Sequence, residues 1–224
     1  MLKFLLDKGA KMNIKSRKNS ELDDDEEDLF PQKLAYSYTQ EVRTQVTVHL
    51  NQPFMTPDYY DNVVNALDSA SHEDVFIFKI ASVGGAYSGL VSLVDAIENT
   101  NALVIADIVG ECHSAASLFA LKCDQVRVSP YAEMLCHSSR YGFAGKSADN
   151  VSHVLHTAKV TERFMKEAYE GFLTDAEVEQ VLGGKELYLD SEEIVERLNA
   201  RDEYRKALAD ALKEAEEENA GLTD

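Results

Sequence analysis

The chain is an α/β protein built on a parallel sheet with outer helices, and two observations predict this. Strand, glycine turn and helix occur twice in succession with nearly equal lengths, from Val75 through Ile97 and again from Ala102 through the small-residue run after Ser114. That order is the sequence form of right-handed βαβ crossovers. The second observation is that the strands are short apolar runs, as expected of strands covered on both faces.

The elements follow in order. Residues 1–33 hold six basic groups in the first eighteen positions, then an acidic run from Glu21 to Asp28, and close at Pro31. Charge blocks of this kind are solvated, so the segment reads as a charged flexible arm. The folded pattern starts at Leu34. Val42, Val46 and Val48 share one face of a strand expected to span about fifteen residues. Thr56-Pro57-Asp58 is a helix start with proline at the first position. Tyr60, Val63, Val64 and Leu67 make one apolar stripe. Val75 to Ile80 is the next strand, Ser82-Val83-Gly84-Gly85 a turn, and Leu90, Leu93, Val94 and Ile97 a second helical stripe.

Ala102 to Val109 reads as a buried strand that stops at Gly110, with Ser114 opening the next helix. Gln125–Val128 and Met134–Cys136 are short strands around a Ser129-Pro130 turn, and His137 follows the second. From Ser147 to about Glu170 no proline or glycine interrupts a helix of roughly 36 Å, longer than a small domain needs and suited to reaching another subunit. Asp175–Leu182 is a short helix ended by Gly183-Gly184. Leu187-Tyr188-Leu189 is a strand, and Ser191 caps a helix starting at Glu192. Residues 201–224 repeat Ala, Leu, Glu and Lys at helical spacing and read as a separate solvated tail. The expected organisation is an arm over 1–33, a domain over 34–200 and a helical tail over 201–224.

Composition narrows the function. A formal charge of -18 over 224 residues leaves no basic surplus for phosphates, which excludes nucleic acid and disfavours an anionic membrane surface. No apolar run approaches membrane-spanning length, and the opening Met1–Leu6 is too short for a signal peptide's apolar core. Cys112, Cys123 and Cys136 contain no C-x-x-C pair, which suits a reducing cytoplasm and argues against a disulfide framework or zinc knuckle. Gly142–Ser147 lacks the first glycine of a phosphate loop, His153 and His156 lack a third ligand, and neither H-E-x-x-H nor G-x-S-x-G occurs. No cofactor and no metal site is expected.

A hydroxyl at a helix N-terminus meets outward N–H groups that favour developing negative charge, which makes Ser114 a candidate nucleophile. Acyl transfer then needs a base, an orienting acid and an oxyanion hole. His137 supplies a base. Glycine at 85 permits close backbone approach to a substrate.

Together, Ile80–Gly85, Gly110–Ser117 and Val128-Ser129-Pro130 with His137 resemble the ClpP family, the proteolytic subunit of the ATP-dependent Clp proteases. The similarity covers about residues 34–200 and is nearest to ClpP-like proteins of bacteriophages. It implies the ClpP/crotonase fold, with repeated ββα/βαβ units and a long handle helix. It also implies a serine endopeptidase with Ser114 as nucleophile, His137 as general base and Glu186 as the acid, Asp190 being the nearest competitor. Backbone N–H groups of Gly85 and Ala115 fall on the oxyanion-hole positions. The long helix from Ser147 falls on the handle that joins two rings, and Gly142–Gly145 on the strand beside it.

The partners implied are a homo-oligomer, a heptameric ring stacked in pairs, an AAA+ unfoldase, and protein or peptide substrates. This sequence departs from the family at Val83, where proline is usual, at His113, where a small residue is usual, at Ala115-Ala116 in place of Met-Gly, and at Glu186 in place of aspartate. Its Ser-to-His interval is two residues shorter. The N-terminal segment does not resemble the loops that dock the unfoldase. Two other readings use the same fold: a catalytically silent scaffold or modulator of an active homologue, and acyl-thioester chemistry of the crotonase kind.

Overall fold

Six strands make one sheet in the computed structural model, which describes residues 44–140, 142 and 144–221, with side chains described to residue 214. The arm over 1–33 and Val42 lie outside the described residues. β1 (Gln45–Leu50), β2 (Val75–Ser82) and β3 (Leu103–His113) run parallel in that spatial order, with β5 (Glu133–Cys136) and then β6 (Leu187–Leu189) beyond β3. β4 (Gln125–Val128) also pairs with β3. Only the β5–β6 pairing is antiparallel among these.

Burial alternates along β2, with Phe76, Phe78, Ile80 and Ser82 buried and the residues between them half-exposed. The two faces of the strand are therefore unequal, where full cover on both was expected. The difference is written in polar residues: Lys79 of β2 and Asp107 of β3 are register partners on the less buried face. On the other face the core gathers Phe78, Ile80, Ile108 and Phe119. The Phe78 and Phe119 rings meet edge to face at 5.0 Å, and each buried ring of this size contributes about 2–3 kcal/mol.

The helices occupy most of their expected spans. α1 (Asp61–Asp68) follows a single 3-10 turn at Pro57–Tyr60, and α2 (Tyr87–Asn99) buries Leu90, Leu93, Val94 and Ile97. α3 (Ala115–Lys122) is buried almost throughout, so its residues are small or apolar on every side. α4 (Ser147–Tyr169) and α5 (Asp175–Leu182) match the expected bounds closely. A capping box starts α5: Thr174 Oγ1 accepts from the Glu177 N–H, and the Glu177 carboxylate accepts from the Thr174 N–H.

The described part of the first strand is six residues long, and most of its expected span lies outside the described residues. Three expectations need correction. β3 does not stop at Gly110 but continues to His113, because its second half finds a new partner: Ile105–Ile108 pair with β4, and Glu111–His113 pair with β5. Gly142, Ala144 and Gly145 are not in a strand, and no strand pairing among the described residues involves them. Finally, α6 (Ser191–Gly221) passes through residue 200 without a break. Arg201 on it is buried and donates to the carbonyls of Leu121 at 2.8 Å and Ala168 at 3.2 Å, near the last turns of α3 and α4. A guanidinium is suited to such helix ends because it carries several donors and positive charge.

No helix among the described residues is long and apolar enough to cross a membrane.

Candidate active site

β3 delivers Ser114 to the end of the sheet, and the chain turns there into α3. The turn is sharp: Ser114 has φ 58 and ψ -122 and is the one non-glycine residue with positive φ among the described residues. A left-handed non-glycine backbone costs about 1–3 kcal/mol and persists only where its surroundings enforce it. Three contacts do so here. The Ser114 N–H donates to the Leu135 carbonyl at 2.9 Å. Its carbonyl accepts from Ser117 Oγ at 2.7 Å, and that hydroxyl lies 3.3 Å from the Tyr169 hydroxyl. Against its side chain lies Gly84, whose own φ is +88. Ser114 makes no side-chain cap to α3, so its hydroxyl is not engaged as a helix cap.

Ser114, His137, Glu186, Gly85 and Ala115 all line one open cavity of about 700 Å³. Five positions spread over a hundred residues of sequence thus converge. Leu90, Leu118 and Leu135 give the cavity an apolar wall, and Tyr87, Thr157 and Thr161 line it as well.

Gly85 is held by a parallel bridge to Phe54, and a Cβ there would come within 2.4 Å of the Phe54 carbonyl oxygen. The neighbouring amides serve that bridge: Phe54 N–H donates to the Gly84 carbonyl and Ala86 N–H to the Phe54 carbonyl, both at 2.8 Å. The Gly85 N–H takes no part in it. Ala115 is the first residue of α3, so its N–H has no partner inside the helix. Among the described residues, neither N–H donates to another protein group.

His137 is half-buried just beyond β5. Burial lowers its pKa below the ordinary histidine value, and the Arg140 guanidinium lowers it further, while the Glu186 carboxylate opposes both. The imidazole is thus held toward its neutral, proton-accepting form.

Glu186 is in the cavity but its hydrogen bonds go elsewhere. One carboxylate oxygen accepts from Arg140 Nη2 at 2.6 Å and the other from the Tyr188 hydroxyl at 3.2 Å. Among the described residues no hydrogen bond joins Ser114 to His137, or His137 to Glu186. Asp190 is occupied differently. Its Oδ1 accepts from the N–H groups of Glu192 and Glu193 at 3.0 and 2.9 Å, capping α6 in place of the expected Ser191, whose hydroxyl donates to the Pro130 carbonyl, and it does not line the cavity.

His113 turns its ring toward Glu133, with Nε2 3.1 Å from Oε1, and meets the Tyr188 ring edge to face at 6.4 Å. It also lines the cavity, and among the described residues it makes no hydrogen bond to Ser114. Arg140, Tyr188, Thr157 and Thr161 were not singled out from the sequence; nothing in local spacing marks them, since each reaches the cavity through tertiary packing alone. The three cysteines are free and buried. Burial pushes the Cys112 thiol well up and the Cys136 thiol to about 12, so none offers a thiolate near neutrality.

The model of the Clp protease family matches residues 31–197. No curated protein matches the chain.

Proposed function

The chain belongs to the Clp protease family, and from that premise we propose that it is a serine-type endopeptidase. Its α/β architecture is of the ClpP/crotonase type. The observation that carries the proposal is the backbone of Ser114: a strained, positive-φ serine between a strand and a helix, opening on the same cavity as His137. Strain of this kind clusters where a side chain must be presented for chemistry.

In the proposed reaction Ser114 Oγ attacks the scissile carbonyl while His137 takes its proton. The oxyanion accepts from the N–H groups of Gly85 and Ala115, whose lack of internal partners supports that role. His137 then gives the proton to the departing amine, and water attacks the acyl-serine by the same route. Glu186 orients His137 once its carboxylate leaves Arg140. The apolar wall formed by Leu90, Leu118 and Leu135 suits an uncharged substrate side chain. Protein or peptide substrates in a cytoplasmic setting fit this reading, as does a bacteriophage origin, since Ser114-Ala115-Ala116-Ser117 is similar to the form found in ClpP-like proteins of bacteriophages.

A ring oligomer fits the exposed apolar residues of α4. Val151, Val154 and Leu155 are 58, 37 and 67 % exposed on a helix of about 35 Å, a surface suited to a second copy. An AAA+ unfoldase partner rests on the family resemblance alone.

One observation favours a second reading, the catalytically silent scaffold: the Glu186 carboxylate is hydrogen-bonded to Arg140 and Tyr188 rather than to His137. Peptidase assays on unfolded protein and fluorogenic peptides, with assembly mass measured in parallel, separate the two. Activity that Ser114→Ala abolishes supports the peptidase. Rings that form but cleave nothing, in wild type and variant alike, support the scaffold.

A further inference from the structure

Just before Ser114, the open face of β3 carries Glu111 and His113, two residues apart and therefore on the same side of the strand. Parallel register places Glu133 of β5 directly opposite Glu111. Two carboxylates at register-paired positions repel, and the usual remedy is for the side chains to diverge or to take a cationic partner. Neither occurs. Glu111 has no cationic partner among the described residues. Instead its oxygen, an oxygen of Glu133 and a nitrogen of His113 all lie within 4.8 Å of one another.

The geometry points to a binding site for a divalent transition-metal cation of the zinc type, held by Glu111, His113 and Glu133, with water completing the shell. Nitrogen and oxygen ligands sit about 2.0–2.2 Å from zinc, so two of them at a tetrahedral angle are roughly 3.4 Å apart. His113 Nε2 and Glu133 Oε1 stand at 3.1 Å, and the two exposed glutamates have the freedom to close on an ion.

The imidazole is already oriented, since its side chain is only 13 % exposed and packs on the Tyr188 ring. An imidazole in the set favours zinc over magnesium or calcium, which prefer all-oxygen shells. The intervening Cys112 points to the opposite, buried face and does not compete. The donors come from two strands, so no short sequence spacing reveals them. A bound ion would tie β3 to β5 immediately ahead of the Ser114 turn.

The test does not depend on peptidase activity. The full chain, stripped by a chelator and dialysed, is titrated with zinc chloride by calorimetry in a non-coordinating buffer, and thermal unfolding is followed with and without zinc. A single equivalent should bind and raise Tm, as any ligand of the folded state does. Glu111→Gln and Glu133→Gln, both at exposed positions, should weaken binding ~10-fold or more and remove the Tm shift. The double variant His153→Ala/His156→Ala should bind as the wild type does. Absence of binding, binding unchanged in both glutamine variants, or equal affinity for magnesium chloride would overturn the assignment.

Discussion

Gly84 stands so close to Ser114 that a Cβ added to it would lie 2.5 Å from Ser114 Cβ and 2.6 Å from the His113 carbonyl oxygen. The glycine turn after β2 and the serine turn after β3 are thus one packed unit, and Gly84 also needs its φ of +88. Gly84→Ala should therefore destabilise the fold by about 2–4 kcal/mol, from overpacking and backbone strain together. It should also lower Ser114 reactivity about 100-fold, because small displacements of a nucleophile are costly. Thermal unfolding and the rate of covalent labelling at Ser114 read the two effects separately.

In the proposed reaction His137 is the base, and its titration sets the expected pH dependence. Its folded-state pKa lies below the ordinary histidine value, chiefly through burial and then through Arg140. The base is active when neutral, so activity should climb with pH through a midpoint below that of a free histidine. The linkage has the same sign. The unfolded chain binds the proton more readily, so this contribution to stability is present above the unfolded pKa and is lost as pH falls through the folded one. Arg140→Gln removes a lowering influence and should move the acid limb of the kcat/KM profile upward. A limb that stays in place would show that Arg140 does not act on His137.

The Arg140–Glu186 pair divides the two functional readings. If Glu186 orients His137 during turnover, Glu186→Gln should cost ~100-fold or more in kcat with KM little changed. If it serves only as the partner of Arg140, the loss should be less than about 3-fold, since exposed ion pairs contribute little. Steady-state kinetics on a fluorogenic peptide decide between these.

Two features away from the cavity test what holds the domain together. The Arg197 guanidinium holds Glu177 at about 2, through a double hydrogen bond at 2.8 and 3.0 Å. This depressed carboxylate stabilises the fold above its unfolded pKa, and the contribution should fade as pH falls from about 4.5 toward 2. Glu177→Gln should flatten that stretch of the stability–pH curve measured by denaturant midpoints. Arg201 ties α6 to α3 and α4, so ending the chain at residue 200 should destabilise the remainder by about 2 kcal/mol or more as two buried carbonyls lose their donors.

Local pattern made α2, α4, α5 and β6 legible, because each has a full apolar stripe or a clear glycine or cap at its ends. The end of β3 was not. Gly110 and Glu111 look like a break, and only pairing with β5, more than twenty residues on, makes them strand. The same long-range step hid the residues around the site. Ser114, His137 and Gly85 were read from residue chemistry and Glu186 and Ala115 through the resemblance, and all five line one cavity. Arg140 was invisible because its partner is 46 residues away, and Arg201 because one exposed-looking arginine in a charged helix resembles every other. The boundary expected at 200 followed a change of composition, whereas the helix continues because backbone hydrogen bonding is indifferent to that change.

The proposed reaction stands on Ser114 as an activated nucleophile. The most direct measurement treats the assembled full chain with a fluorophosphonate probe and maps the adduct by mass spectrometry, with Ser114→Ala and His137→Ala in parallel. One adduct should form at Ser114, absent from Ser114→Ala and strongly slowed in His137→Ala. No adduct at Ser114 in any assembly state, or labelling that survives Ser114→Ala unchanged, would contradict it.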